Sequence, residues 1–292
     1  KYFHKVRFKI YEYRENRVHP QKDDKILTDW NGLMISAFAR AGAILNNDEY
    51  IIAAEKSADF IIENLINNEG VLLKRYRDGV SGIDGMIEDY AFFIWGLLEL
   101  YQITFKDEYI NLAVDLSDYQ FKNFWDSQNH GFYFTSNLSE SLIVRSKEIY
   151  DGAIPSGNSV SACNYIRLSK ILSRPDYEEV AIKTIDAFAY TLNRYGYGSS
   201  MMMQAINMIQ NPFYEIIIVG NKDKSKDFIN YLHNVTQPNK VLIYYNGKNK
   251  NKNFNFLDYY KPNINGEPLV YVCQNFSCKL PTSDFKIIDE LL

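Results

Sequence analysis

The chain has 292 residues, 46% of them hydrophobic, which is enough for one large or two ordinary globular domains. Its 32 basic and 36 acidic residues are well mixed and give a net charge of −4, which excludes a strong field for nucleic acid or an anionic membrane. The longest apolar runs are far shorter than a membrane span and no cleavable signal is recognisable, so we expect a cytoplasmic protein.

The first segment, 1–25, predicts a charged leader helix followed by an entry loop, with the helical pattern ending near Pro20. The chain begins with Lys rather than Met, so we expect it to be a piece of something longer.

The segment 26–211 predicts a series of helical hairpins. Tyr50, Tyr109 and Tyr177 each lie near an Asp that opens an apolar series with helical spacing, and they recur after 59 and 68 residues. Such repeats must stack to bury their faces, so the sequence predicts a mainly α fold, a partial α/α toroid. The helices are predicted at about 30–46, 48–66, 88–105, 107–124, 157–173, 177–195 and 199–210.

The two helices of each predicted hairpin differ in character. The first is apolar almost all round and the second is amphipathic, which indicates an inner and an outer layer. The pattern stops after three copies, whereas a closed toroid of this kind has six hairpins. We therefore expect an exposed apolar flank and a homo-oligomer formed through it. The long connections, about 67–87 and 125–156, contain strand-like alternation at 70–76 and 131–135.

The segment 212–292 predicts a small α/β appendage packed on the toroid. Apolar runs at 215–220, 240–245 and 268–273 indicate strands, and a helix is predicted near 225–233. The Asn- and Lys-rich run 246–255 predicts a mobile loop. Three cysteines are too few, and odd in number, for a disulfide framework, so we interpret Cys273 and Cys278 as thiols rather than a metal site.

The repeat places the starts of three inner helices on one rim, where the polar, Gly-rich junctions 23–32, 85–90 and 151–159 converge. The predicted catalytic residues are Asp151, Glu88 and Asp89, because adjacent carboxylates in a partly dry cleft can take separate acid and base roles. Amides at a helix start and aromatic faces suit an anionic or sugar ligand. The predicted substrate-binding residues are Asp29, Trp30, Asn31, Tyr90, Ser156, Asn158, Arg145 and Lys147.

Each of these assignments has a structural alternative. Glu88 and Asp89 are also suited to capping a helix and complementing its dipole. Asp151 is equally suited to stabilising a turn, and Arg145 and Lys147 to ion pairs with Glu148 or Asp151. No metal and no cofactor are predicted, and no Ser/His/Asp or Cys/His arrangement is visible.

Four segments together carry a family resemblance: DDKILTDWNGLM at 23–34, EDYA at 88–91, KEIYDGAIPSGNS at 147–159 and YVCQNFSC at 271–278. They resemble the YyaL-like and spermatogenesis-associated thioredoxin-domain protein family. The resemblance implies an N-terminal thioredoxin-like domain, absent from this chain, followed by a toroid similar to six-hairpin glycosidases and N-acylglucosamine 2-epimerases.

That wider group implies a sugar ligand. Its epimerases use histidines, and this sequence has none at its inner helix starts, so Asp/Glu acid–base chemistry is the better expectation. The alternative is a non-catalytic module that binds a sugar, a peptide or a protein partner of the thioredoxin-like domain.

Overall fold

The computed structural model describes residues 2–140, 142–248, 251–275 and 277–292. Within them, three helical hairpins follow one another, as the repeat predicts. Each first helix ends at a residue in the left-handed conformation, at Asn46, Phe105 and Ser173, with φ near 50° in all three. The shared turn shows that the hairpins are copies of one unit. The paired helices are α2 (Thr28–Leu45) and α3 (Asp48–Asn64), α4 (Ile87–Thr104) and α5 (Asp107–Phe124), and α6 (Gly157–Leu172) and α7 (Pro175–Ala187). The preceding helix is α1 (Tyr2–Glu15), which has no buried residue.

The first helices, α2, α4 and α6, form the inner layer. Every residue of α6 is buried, and α4 is buried along most of its length. The helices α2 and α4 approach so closely at Gly32 that a Cβ there would lie 2.5 Å from the Phe92 carbonyl carbon. Only a residue without a side chain fits this contact. The close packing sets these helices side by side and in parallel, with their starts at the same end.

The predicted helix at 177–195 is interrupted. Helix α7 ends before Phe188, and α8 (Ala189–Tyr195) follows, then a 3₁₀ turn at Gly196–Gly198 and α9 (Ser200–Gln210). Phe188 leaves the helical path because its ring is buried beside the Gly131 backbone in the second long connection. Helix α9 then packs against α6 as an inner helix without a partner helix.

The first long connection contributes β2 (Leu73–Arg77) and β3 (Val80–Asp84) to a three-stranded antiparallel sheet, whose third strand, β1 (Ile26–Leu27), directly precedes α2 and pairs with β2. Its central strand brings Lys74 to the start of α2. The strand predicted at 131–135 does not form. Apart from one bridge between Trp125 and Phe132, the backbone there bonds to separate segments, so no strand ladder is completed.

The C-terminal part forms a second sheet from the strands β4 (Tyr214–Val219), β5 (Lys240–Tyr245), β6 (Leu269–Gln274) and β7 (Ser277–Cys278), in the spatial order β5-β4-β6-β7. One face of this sheet packs into the core of the toroid, and the other packs against the helices α10 (Lys222–Asn234) and α11 (Phe285–Leu291). This double covering explains why β4 is buried throughout and is apolar except at Glu215.

Two expectations for this part are wrong. Cys273 and Cys278 are directly opposite each other on β6 and β7 and form a disulfide, so they are not thiols, and the buried Cys163 is the free cysteine. The predicted loop at 246–255 runs into a 3₁₀ helix at Lys252–Tyr259, which Phe254 and Leu257 anchor in the core. Residues 249–250 of that loop lie outside the described residues. Among the helices described, none is long and apolar enough to cross a membrane.

Candidate functional site

The starts of α2 and α4 are joined by a buried carboxylate. Asp89 lies in the first turn of α4, where its Oδ2 accepts a hydrogen bond from the Met86 N–H (2.8 Å) and its Oδ1 one from the Asp29 N–H (3.2 Å). The side chain is fully buried, with 0% exposure. It therefore satisfies helix-start N–H groups on two repeats at once, which no intrahelical carbonyl can do.

Lys74 balances the charge of this junction. Its Nζ lies 3.2 Å from Asp29 Oδ2 and 3.5 Å from Asp89 Oδ2. Burial opposes the charge on Lys74, but the two carboxylates outweigh it and raise the pKa of Lys74 above its usual value. Burial also raises the pKa of Asp89 to about 7, with the Asp29 charge adding to it, while Lys74 and the two N–H groups oppose the rise. The junction thus holds a carboxyl that titrates near neutral pH.

Glu88 differs from its neighbours. It is half-buried, and no hydrogen bond or ion pair within the described residues involves its carboxylate. Burial raises its pKa, Lys74 lowers it, and the charges of Asp29 and Glu148 raise it further. Among the described residues, Glu88 is therefore a carboxyl without a hydrogen-bond partner, with a raised pKa to which the Glu148 charge contributes.

Asp151 joins two further helix starts. Its Oδ1 accepts a hydrogen bond from the Ser156 N–H (2.8 Å) before α6, and its Oδ2 one from the Met201 N–H (2.7 Å) in the first turn of α9. The Ser156 hydroxyl accepts the Ser159 N–H at 3.1 Å and caps α6. Asp151 and Ser156 thus take structural positions, as the turn-stabilising alternative expects.

Asn158 fixes the second long connection over the rim. Its Oδ1 accepts the Phe132 N–H (2.8 Å), and its Nδ2 donates to the carbonyls of Phe132 and Glu148, both at 2.9 Å. Asn158 is 1% exposed, so its amide is fully used inside the protein. By holding the Glu148 backbone it sets the position of a carboxylate whose side chain remains exposed.

The two predicted cations are engaged within the same connection. Lys147 Nζ lies 2.8 Å from Asp126 Oδ2 and donates to the His130 carbonyl at 2.7 Å. The Arg145 guanidinium donates to the Thr135 carbonyl and lies over the Tyr133 ring. Neither forms the ion pair with Glu148 or Asp151 that the sequence alternative proposes, and both brace the loop instead.

The remaining predicted residues fall into a buried and an exposed group. The Tyr90 ring is buried and its hydroxyl accepts the Leu72 N–H at 3.0 Å. Asn31 donates to the Leu27 carbonyl (2.7 Å) and accepts from the Ser57 hydroxyl (3.2 Å). Trp30, by contrast, is 60% exposed at the start of α2. Trp30 is thus an aromatic face that a ligand at the rim can reach.

The rim therefore contains two kinds of carboxylate. Asp29, Asp89 and Asp151 accept backbone hydrogen bonds, whereas the side chains of Glu88 and Glu148 accept none from the residues that the structure describes. Sequence reasoning did not select Lys74 or Glu148. The signals available were the strand alternation at 70–76 and the position of Glu148 inside the 147–159 segment. Within the residues that the structure describes, no cluster of His, Cys, Asp and Glu is suited to a metal ion.

Comparison with solved structures defines the class of fold. A GH76 α-mannanase from Bacteroides thetaiotaomicron aligns with a TM-score of 0.51 at 14% identity, covering 91% of this chain and 66% of that one. Cellobiose 2-epimerase from Bacillus thermoamylovorans aligns with a TM-score of 0.50 at 17% identity, covering 58% of this chain and 46% of that one. The chain has the α/α-toroid fold of these glycosidases and epimerases, with small sheets added.

The sequence is similar to particular curated proteins. It is 32% identical over 291 residues to spermatogenesis-associated protein 20 of Homo sapiens, covering 94% of this chain and 37% of that protein. It is 31% identical over 292 residues to the Rattus norvegicus protein of the same name, with the same coverage. The chain thus spans little more than a third of the length of these relatives. No protein-family model matches it.

Proposed function

We propose that the rim is a carbohydrate site at which Glu88 and Glu148 transfer protons to and from a sugar. The observation that carries the proposal is the division among the rim carboxylates. Three are committed to backbone N–H groups, and these two are not. A group that exchanges protons with a substrate must be free to reach it, and Glu88 and Glu148 meet that condition.

The environments of the two carboxylates suit different roles. The burial that raises the pKa of Glu88 favours its protonated form, so Glu88 is the acid. The exposed Glu148 is the base, and its backbone is held by Asn158. The ion pairs of Lys74 with Asp29 and Asp89 hold the start of α4, where Glu88 lies. The exposed face of Trp30 offers a surface for the C–H groups of a sugar ring.

The comparisons support the class of substrate. The solved structures with this fold include a mannan hydrolase and a cellobiose epimerase. Because these structures are only 17% and 14% identical to this chain, the particular sugar and the reaction are inferred from the rim residues. We also propose that the chain is part of a member of the thioredoxin-domain family that it resembles, and that it is located in the cytoplasm.

The test is turnover of a panel of reducing mono- and disaccharides, incubated with the protein in D₂O and followed by proton NMR. Hydrolysis, isomerisation and epimerisation each give distinct products, and the last two exchange a carbon-bound proton for deuterium. We expect one of these reactions, with Glu88→Gln and Glu148→Gln each lowering its rate on the order of a hundredfold or more. The matched control is Asp115→Asn, an exposed carboxylate on α5, which should leave the rate unchanged. Turnover that persists in both glutamine variants contradicts the assignment.

A second candidate function is a non-catalytic binding module for a sugar, a peptide or a protein partner. The burial of Asp89 and the double engagement of Asp151 favour it, since backbone N–H groups already occupy two of the three predicted catalytic carboxylates. A glycan array with the wild type and Glu88→Gln separates the two functions. Binding that the variant retains, with no turnover of any sugar by the wild type, supports the module.

A further inference from the structure

A cavity of about 720 Å³ lies away from the rim, between the inner helices and the C-terminal sheet unit. Its walls come from the later parts of α2 and α4, the middle of α6, the length of α9, and the connection from α10 to β5. A volume of this size holds a small metabolite, and a position between two structural units is common for ligand sites. Met201, whose N–H donates to Asp151, lies between the rim and this cavity, and the cavity walls formed by the described residues include none of the rim carboxylates.

Two arginines in this cavity share one carboxylate. Arg167 on α6 lies 2.9 Å from Glu99 Oε1, and Arg40 on α2 lies 4.0 Å from the same atom. Trp95 also donates its indole N–H to Glu99 Oε1, at 3.1 Å. Arg167 is 8% exposed, so its charge is almost fully removed from water. One carboxylate cannot neutralise two guanidinium groups, and positive charge remains in excess.

The opposite wall adds further basic groups. Lys240 on β5 donates through Nζ to the carbonyls of Leu232 and Val235, and burial together with the Arg40 charge lowers its pKa to about 8. Burial lowers the pKa of His233 to about 4, and the charges of Lys240 and Arg40 add to this, against the opposing charge of Glu99. The buried His233 Nε2 and the buried Asn164 Oδ1 have no hydrogen-bond partner within the described residues.

We propose that this cavity binds a small anionic metabolite, one carrying a phosphate or carboxylate group, with Arg167 and Arg40 as its direct partners. The fork of a guanidinium group matches both anions, and Arg167 and Arg40 both line the cavity. The bound anion supplies the negative charge that Glu99 alone does not. The site is distinct from the rim, so it stands whether or not the rim handles sugars.

The test measures binding to the intact chain by isothermal titration calorimetry at constant ionic strength. The probes are inorganic phosphate, glucose 6-phosphate and citrate, with glucose as the uncharged control. We expect heat from at least one anion and none attributable to this cavity from glucose. Binding of the phosphates without citrate identifies a phosphoryl ligand, and the reverse identifies a carboxylate. If no anion binds at millimolar concentration, the proposal is overturned.

Variants connect the binding to the cavity. Arg40→Gln changes a side chain that is 61% exposed and should fold normally, yet weaken anion binding about tenfold. Its matched control is Lys226→Gln, which removes the same charge from an exposed position on α10 and should leave binding unchanged. Glu99→Gln should tighten binding, since it removes the competing carboxylate. Equal weakening by Arg40→Gln and Lys226→Gln, or weaker binding by a folded Glu99→Gln, overturns the proposal.

A spectroscopic readout checks the location. The NMR signal of the His233 ring is assigned with the variant His233→Gln. We expect the pKa of His233 to be higher when the anion is bound. The charges of Arg40 and Lys240 lower this pKa and the charge of Glu99 raises it, and a bound anion acts in the same direction as Glu99. An unchanged His233 titration in the presence of a saturating anion overturns the assignment to this cavity.

Discussion

The rim and the cavity lie along the same parallel helices and have opposite charge. The rim is acidic where α2 and α4 begin, with Lys74 as its ion-paired cation, and the cavity is basic along their later turns, with Glu99 as its carboxylate. Helix dipoles favour this division, since N-terminal ends attract carboxylates and C-terminal ends attract cations. Charge sign alone therefore does not mark a functional site. The informative difference is which groups the fold has already satisfied.

The largest expected effect tests the structural carboxylates of the rim. Asp151→Ala leaves the N–H groups of Ser156 and Met201 without their acceptor, so we expect the free energy of unfolding to fall by about 3 kcal/mol. Glu88→Gln should change it by no more than about 0.5 kcal/mol, because Glu88 accepts no hydrogen bond. Urea denaturation measures both. If the two variants are equally stable, the division between engaged and free carboxylates is wrong.

A somewhat smaller effect concerns the charge of the rim. Lys74→Met leaves the buried carboxylates of Asp29 and Asp89 without their cation, and we expect a loss of about 2 kcal/mol at pH 8. The loss should be smaller at pH 5, because Asp89 then carries a proton in the folded protein.

The direction of this pH dependence follows from the direction of each pKa shift. The pKa of Asp89 is raised on folding, so its contribution to stability falls as the pH rises from about 4 to about 7. Lys74, with its pKa raised above 10.5, is protonated at both pH values, so the pH dependence of the loss comes from Asp89. Without Lys74 the Asp89 pKa rises further, and the deficit grows with pH. A deficit that is the same at pH 5 and pH 8 contradicts the buried junction.

The next prediction concerns Trp30, the exposed aromatic residue of the rim, and its contact with a sugar. Trp30→Ala should weaken sugar binding about fivefold through loss of the stacking face, and change stability by less than about 1 kcal/mol because the ring is largely exposed. Calorimetry with the sugar identified in the turnover panel measures the affinity. Tyr259→Ala, which removes an exposed aromatic at the end of the 3₁₀ helix Lys252–Tyr259, is the control and should bind as the wild type does.

The smallest effect concerns the flank. Met34 and Ile44 are exposed apolar side chains on α2, the first inner helix described. We expect self-association through these side chains, and Met34→Glu should shift the protein towards the monomer in light scattering with little loss of stability. A wild type that is monomeric at micromolar concentration contradicts the expectation.

The amino-acid sequence by itself determined the helical hairpins, their boundaries within a few residues, the strands β4 to β6, and the rim where the inner helices begin. These features depend on local periodicity, on capping residues such as Asn47, and on a repeat that puts equivalent turns at equivalent places. The helix break at Phe188 depended on a contact with the distant Gly131, whereas the disulfide depended on the pairing of β6 with β7, which the sequence analysis did not predict.

Only the tertiary structure decided which rim carboxylates are free. Asp89 is engaged by an N–H group from a residue 60 positions away, and Asp151 by one 50 positions away. Lys74 reaches the rim through a strand pairing, and the basic cavity forms where the C-terminal unit meets the inner helices. A sequence shows that a carboxylate is present at a helix start, but its hydrogen-bond partners, and hence its freedom to act on a ligand, come from distant parts of the chain.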